Sequence, residues 1–407
     1  QNLRSLDGIT SAPLLHADGS IRAVEGYDPE TRLWCEQVPT IEVSDAPTES
    51  DARAALARVR FWLRTFAFAD AKRVNVPDVA VPVVDLSLPP GADESAYLVA
   101  LLTAVCRSSL WLAPAVLVRG PQISGAGTGK GLMARAMSII AFGSQPRAMT
   151  AGTRGEETEK RIAAVLISGD PVLFLDNVNG VLLKSDTLAS VITERPATVR
   201  PLGGSKIVPL NSAALVVVTG NGLTLSEDMV RRFIVVELDA GVEDPETREF
   251  RGDLLEDIAI ARSDLLQDLL TIWRWGRQQG DALPSGKPLG SFHQWARWCR
   301  DPMVALGCVD PIARISTAKA ADPRRAFLAE VFSTWARCHS DAQVPVKDLA
   351  PPVTMLLDPT SKGRQYLAAQ VRGMAGTRAG GYQLTHTPSA GKWSGDLYRL
   401  VPTTGKT

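Results

Sequence analysis

Ile123-Ser-Gly-Ala-Gly-Thr-Gly-Lys130-Gly-Leu-Met-Ala-Arg-Ala136 is a glycine-rich segment set between two apolar ones. The run Ala115-Val-Leu-Val118 ahead of it predicts a short buried strand. The Ala- and Met-rich sequence behind it predicts a helix to Phe142, stopped by Gly143. Strand, glycine loop, Gly-Lys and helix, in that order, are the context of a phosphate-binding loop. Without a Cβ, Gly125, Gly127 and Gly129 let the backbone turn its N–H groups inward around phosphate oxygens, with a helix N-terminus behind them. The predicted cradle is Gly125, Ala126, Gly127, Thr128, Gly129, Lys130, Gly131 and Leu132, with Lys130 bridging β- and γ-phosphates. Two positions depart from the usual pattern: its first glycine is Ser124, and the hydroxyl residue expected after the lysine, a Mg²⁺ ligand, is Gly131. An ordinary glycine turn between strand and helix is the competing reading.

A chain of 407 residues suggests roughly two or three domains. Its apolar content supports a core, and neither a membrane-length apolar run nor a signal peptide is visible, so a cytoplasmic protein without a membrane partner is expected. Cys35, Cys106, Cys299, Cys308 and Cys338 are scattered, which favours free thiols in packed helices over a metal site or a disulfide frame. Lys+Arg and Asp+Glu both number 44, so nucleic-acid contact would need local patches. One such patch is residues 361–407, with seven basic residues and one acid, against ten acids and six bases in residues 1–60. A merely solvated face fits the same charges.

Five regions follow from the pattern. Residues 1–48 carry short alternating pieces and turns, a small strand-rich unit. Residues 49–110 are mainly helical: Thr48 caps a helix predicted to run to Phe68, with Asp51 near the capping-box position and Leu56, Val59, Phe61, Trp62 and Leu63 on its apolar face. Asp78–Ser87 reads as extended, and a further helix covers Glu94–Ser108. Residues 111–245 form an α/β core. Residues 246–342 are helical and rich in tryptophan (Trp273, Trp275, Trp295, Trp298, Trp335), read as lid packing before base stacking. Residues 343–407 carry a helix over Ser361–Met374 and two extended segments joined by a basic loop, the outline of a winged helix with Lys392 and Trp393 in its wing.

Within the core, Val172-Leu-Phe-Leu-Asp176-Asn177 reads as a buried parallel strand whose carboxylate emerges at the C-terminal edge, where Asp176 would hold Mg²⁺. Ala213–Val218 leads a second strand into Thr219-Gly-Asn221, whose amide could orient the attacking water; a turn-forming Asn beside Gly222 is the plainer reading. Arg231-Arg232 opens a third strand over Ile234–Leu238 and reads either as surface arginines or as fingers reaching a neighbouring subunit. Between the first two strands, Thr198–Leu210 has a Gly203-Gly204 turn, predicting a hairpin with Arg200 and Lys206 beside its tip, placed to hold DNA phosphates.

Taken together, these motifs resemble an AAA+ ATPase of the superfamily 3 helicase type, and within that group the helicase module of primase–helicases carried by phages and mobile elements. Thr65-Phe-Ala-Phe-Ala-Asp70, Gly26-Tyr-Asp-Pro29 and Phe292-His-Gln-Trp295 with Arg300-Asp-Pro302 add to the likeness, which covers roughly residues 50–310. The resemblance implies ATP and Mg²⁺ as cofactors, with Lys130 and Asp176 as nucleotide and metal residues. It makes Asn221 the sensor and Arg231 or Arg232 the finger. It also implies a ring, a hexamer in the group, that translocates on single-stranded DNA during replication. Duplex DNA is a further expected partner, and so is a primase, in cis or in trans. Where many AAA+ proteins place a glutamate base, this chain has Asn177, so either the base comes from elsewhere, with Glu156 and Glu157 as candidates, or hydrolysis is slow. A nucleotide-switched initiator or DNA-binding protein with little unwinding is the alternative, favoured by Asn177 and Gly131.

Overall fold

The computed structural model describes residues 5–77, 79–150, 155–199, 208–286, 289–315, 323–388 and 396–403. The chain divides into two compact units, Gln1–Ser316 and Thr317–Thr407.

At the centre of the first unit lie five parallel strands, in the order Phe233–Glu237, Ala115–Gly120, Leu215–Asn221, Val172–Asp176, Ala148–Thr150. Their cores are unbroken apolar runs. Val116, Leu117, Val118, Leu173, Phe174, Val217 and Val218 are wholly buried, as expected for a parallel sheet covered by helices. Helix α1 spans Glu49–Leu63, α2 Ala92–Cys106, α3 Lys130–Phe142, α4 Gly155–Ile167 and α5 Asp186–Thr193. Every residue of α2 from Asp93 to Cys106 is buried, because it packs against α3, the strand Phe233–Glu237 and the long helix Arg262–Gln279.

The Thr48–Asp51 capping box starts α1 as expected. The helix stops at Leu63, short of Phe68, because the chain beyond it turns extended along the sheet. Ala69 N–H donates to Glu237 O at 3.0 Å and Asp239 N–H to Ala67 O at 2.8 Å. Phe66 and Phe68 are thereby buried against the ring of Tyr97, with centroids 6.1 and 6.0 Å away. Leu56, Val59 and Leu63 face the core, but Phe61 is 53% exposed under the Arg64 guanidinium and does not belong to the buried face. Asp70 caps α2 from outside, its carboxylate accepting from Ala92 N–H at 2.6 Å and Asp93 N–H at 3.1 Å. In the extended stretch that follows α1, only Val83–Val84 pairs as a strand, with Arg73–Val74; Asp78 lies outside the described residues.

Residues 5–36 add a three-stranded sheet and a two-stranded hairpin. Trp273 and Trp298 meet edge to face at 5.5 Å, and Trp295 donates its indole N–H to Thr103 Oγ1 at 2.8 Å. These three and Trp275 are buried in the core of the first unit. Among the cysteines, Cys35 lies on a strand rather than a helix, and Cys338 is exposed.

The second unit runs helix Pro323–His339, strand Val344–Pro345, helices Pro351–Leu357 and Arg364–Met374, then strands Arg378–Ala379, Tyr382–Thr387 and Leu397–Pro402. Its strands form one antiparallel sheet ordered Val344–Pro345, Leu397–Pro402, Tyr382–Thr387, Arg378–Ala379. Phe332, Trp335, Val353, Val371, Leu384 and Tyr398 make the core. Lys392 and Trp393, in the loop of the long hairpin, lie outside the described residues. No described helix is long and apolar enough to cross a membrane.

One close approach fixes the geometry at the sheet's C-terminal edge. The loop after Asp176 crosses over the end of the neighbouring strand, with Val178 N–H donating to Thr219 O and Gly180 N–H to Asn221 O, both at 2.8 Å. A Cβ on Gly220 would stand 1.8 Å from the Val178 carbonyl oxygen. Gly220→Ala is therefore expected to lower stability by about 1–3 kcal/mol, as overpacking does. Gly373→Ala, on a helix with open space at the Cβ position, should instead gain up to about 1 kcal/mol. Thermal unfolding of the two variants checks the contrast.

Candidate nucleotide-binding site

The loop Pro121–Gly129 leaves the C-terminal end of the strand Ala115–Gly120 and enters α3. Gly127 and Gly129 sit at φ +68° and +98°, in the left-handed region that glycine occupies without strain. Gly129 is the N-cap of α3, so the first amide groups of that helix, on Lys130, Gly131 and Leu132, have no intrahelical acceptor and are available to an anion. Thr128 Oγ1 donates to Gly125 O at 2.9 Å and closes the loop on itself. Lys130 is buried, and its ammonium donates to the Gly125 carbonyl and, at 3.3 Å, to Thr128 Oγ1. Burial pushes the lysine pKa down, with the negative charge of Asp176 working the other way. An ammonium so placed, held by neutral oxygens, is completed by an anion. The cradle fits a phosphate chain.

Two neighbouring strands bring further residues to this edge. Asn221 ends the strand Leu215–Asn221, and its Oδ1 is buried without a hydrogen-bond partner among the described residues. It points at the loop: a Cβ on Gly125 would lie 2.5 Å from it. Asp176 ends the next strand, and its Oδ1 accepts a hydrogen bond from Thr219 Oγ1. Thr219 Oγ1 in turn accepts from Asn177 N–H at 3.2 Å. Asn177 is exposed, at φ +58°, and forms the sharp exit from the strand. Asn179 Oδ1 accepts from Asn221 N–H at 2.7 Å, tying the two strand exits together. Glu157 pairs with Arg161 one turn along α4, and the side chain of Glu156 lies outside those described.

The donors around Asp176 do not fit a magnesium ion held in the usual way, by a hydroxyl following the lysine and a strand-end carboxylate. Gly131 supplies no hydroxyl. A Cβ there would stand 2.7 Å from Arg135 Nη1, and 3.7 Å from Asp176 Oδ2. Arg135 Nη2 lies 3.9 Å from Asp176 Oδ2. The Arg135 guanidinium therefore stands beside the carboxylate and the glycine that would have to hold the metal.

Beside the loop is a cavity of about 510 Å³, within the size range of small-molecule sites. Phe61, Trp62, Phe66, Leu132 and Phe250 line it, together with Gly127–Gly129. Arg248 lies over the Phe250 ring and donates to Gly127 O at 3.2 Å. The backbone of Glu246 packs on Gly127 so closely that a Cβ there would come within 2.5 Å of it. Aromatic walls next to a phosphate cradle suit a heteroaromatic base.

Arg231 and Arg232 lie elsewhere. They precede the strand Phe233–Glu237 and so stand at the N-terminal edge of the sheet, a strand length of roughly 17 Å from the loops that carry Lys130 and Asp176. Arg232 is held by Asp228, by Ala189 O at 3.1 Å and by Thr193 Oγ1, with its side chain 15% exposed. Arg231 is 59% exposed and pairs with Asp228 at 2.6 Å. The hairpin is formed by Ala197–Val199 and Val208–Leu210; Arg200 and Lys206 lie outside the described residues.

Sequence reasoning missed Thr219, Arg135 and the aromatic cavity. Arg135 had a visible signal: after Lys130 it is the one charged residue in the helix up to Phe142, four positions from Gly131. Thr219 could be seen only as part of a strand end. The cavity joins residues nearly two hundred positions apart, a proximity that no local pattern carries.

The unpartnered Asn221 oxygen yields a test. A buried acceptor without a donor costs about 1–3 kcal/mol, so Asn221→Ala should leave thermal stability unchanged or raised. The same variant should weaken binding of a fluorescent ATP analogue. A large drop in melting temperature would instead mark Asn221 as a structural residue.

No protein-family model matches the chain, and no curated protein sequence does. Among solved structures, it is similar to the apo A form of the C-terminal region of NrS-1, at 13% identity over 93% of this chain and 85% of that one, with a TM-score of 0.41. It is also similar to NtrX from Brucella abortus in complex with ATP, at 14% identity over 70% of this chain and 68% of that one, with a TM-score of 0.26. Neither likeness adds to what the sheet order itself says.

Proposed function

We propose that this chain is a P-loop ATPase that works between copies of itself and uses the cycle to move on single-stranded DNA. The observation that carries the reading is the division of the sheet into two ends. Gly125–Lys130, Asp176 and Asn221 gather at the C-terminal edge, and Arg231 is exposed at the opposite one. Lys130 and the amides at the start of α3 take the triphosphate, and the cavity lined by Phe61, Phe66 and Phe250 takes the base. Asn221 meets the terminal phosphate or the water that attacks it. Strand length keeps Arg231 away from its own cradle, so as a finger it serves a second copy in a ring. Arg232 supports α5 and the helical turn Glu227–Val230 from within the same subunit.

The DNA side of the reading is supported by two features. The paired segments Ala197–Val199 and Val208–Leu210 precede the strand that ends at Asn221, and Arg200 and Lys206, between them in sequence, are the residues proposed to grip phosphates. The described elements of the second unit follow the succession helix, strand, helix, helix, hairpin, which supports a winged-helix reading, with Lys392 and Trp393 proposed as DNA contacts. The element carried by a phage or mobile genome, the hexameric ring and a primase partner follow from the sequence resemblance alone.

A second reading has its own support. Asn177 stands where a glutamate base would serve, and Arg135 stands beside Asp176. Both favour a nucleotide-switched DNA-binding protein that assembles with little unwinding. ATPase assays with and without single-stranded DNA, beside strand displacement, separate the two.

Lys130→Ala is expected to reduce ATP turnover at least about a hundredfold, the scale of losing a charge-assisted contact to the reacting phosphates, while the fold survives. Arg231→Ala should lower turnover with nucleotide binding retained, and should be rescued when mixed with Lys130→Ala subunits, which supply the missing arginine to an intact cradle. Arg232→Ala should instead lower the melting temperature. Full turnover by Lys130→Ala, or equal stability loss in both arginine variants, would count against the proposal.

A further inference from the structure

We infer that Arg135 takes the place of the divalent cation at this site, so that the cradle binds a nucleoside triphosphate without a metal. The inference rests on the nucleotide-binding reading above. Three observations converge on it. Gly131 removes the hydroxyl that a metal would use, and the volume a side chain there would enter is held by Arg135 Nη1, 2.7 Å from the Cβ position. Positions 131 and 135 are one turn apart on α3, so they share a face by helix geometry, and a side chain at 131 would have to displace the guanidinium from its present place. The guanidinium is poised but not consumed. It stands 3.9 Å from Asp176 Oδ2, its N–H groups donate no hydrogen bond among the described residues, and its side chain is 31% exposed. The ring of Phe174, 5.7 Å from Arg135 Cζ, supports it from the sheet.

The electrostatics follow. A triphosphate without metal brings a large negative charge to the loop. Lys130 meets it from one side and Arg135 from the other, in the position where a cation bridging Asp176 and the phosphates would stand. A guanidinium stays charged at any working pH and its planar fork suits phosphate oxygens, so the arrangement needs no ion from solution. Asp176 then acts as the anchor of Arg135, steered by Thr219, and not as a metal ligand.

The experiment titrates the full chain with a fluorescent ATP analogue in EDTA and in excess Mg²⁺. The wild-type dissociation constants are expected to agree within about threefold, while Arg135→Ala loses about tenfold or more in EDTA, the scale of one charge-assisted hydrogen bond. Arg135→Lys should recover part of that loss. Asp176→Asn should bind in EDTA as tightly as wild type or more tightly, since it removes a negative charge from beside the phosphates while keeping a polar neighbour for Arg135. Gly131→Ser with Arg135→Ala should make binding depend on Mg²⁺. Wild-type binding that collapses in EDTA, or an Arg135→Ala chain that binds normally there, would overturn the inference and leave the nucleotide reading standing. Absence of binding under both conditions, with Lys130→Ala indistinguishable from wild type, would remove both.

Discussion

Strand direction is the constraint on which the rest of the molecule depends. Five parallel strands deliver all their C-terminal ends to one edge, and the order of the sheet decides which ends are neighbours. Leu215–Asn221 lies between the strand that feeds the glycine loop and the strand that ends in Asp176. That position lets Thr219 reach Asp176 and Asn221 face Gly125. A strand inserted on either side of Leu215–Asn221 would separate these side chains by a further strand spacing of nearly 5 Å, beyond hydrogen-bond reach.

The same edge holds groups that the fold alone does not satisfy. Lys130 leans on the carbonyl of its own loop, the Asn221 oxygen has no donor among the described residues, and Arg135 stops short of a hydrogen bond with Asp176. A protein selected only for stability would pair such groups or replace them, since a buried polar atom without a partner is costly. Buried polar atoms without a partner also occur away from this edge, at Trp273 and Trp335 among others, so the reading of the edge as a binding site rests on these groups lying together around one glycine loop. In the interior, by contrast, Trp295 finds Thr103 for its N–H.

Much of this was legible in the sequence where the signal is local. The glycine loop between an apolar run and a helix, the strand ending in Asp176, the strand ending at Asn221 and the capping box at Thr48 are each written within a dozen residues, and each forms. What could not be read was whatever depends on a partner far along the chain. The end of α1 was expected at Phe68, because Phe66 and Phe68 are as compatible with a helix face as with an edge. Glu237, far along the chain, draws that segment into extended form. Phe61 was placed on the buried face for the same reason, although it opens onto the cavity beside the loop. The relation of Arg135 to Gly131 lay within one helical turn, yet reading it required knowing that Asp176 would stand opposite both.

A motor at this site needs a path from the phosphates to the nucleic acid, and the strand Leu215–Asn221 is the shortest covalent one. Its C-terminal residue faces the cradle, and four residues, 211–214, separate its start from the returning leg of the hairpin, Val208–Leu210. A strand paired on both sides cannot stretch or slip by a fraction of a residue without breaking its ladder, so it transmits a displacement along its axis nearly undiminished. The hairpin base is anchored by buried Ala197 and Val199. The neighbouring turn Glu227–Val230 carries Asp228, which holds Arg232, and leads directly to Arg231. The element that would touch DNA and the arginine that would touch a neighbour's phosphate thus leave the same end of the sheet. Within the proposed ring, a change at one subunit's cradle has a short covalent route to both.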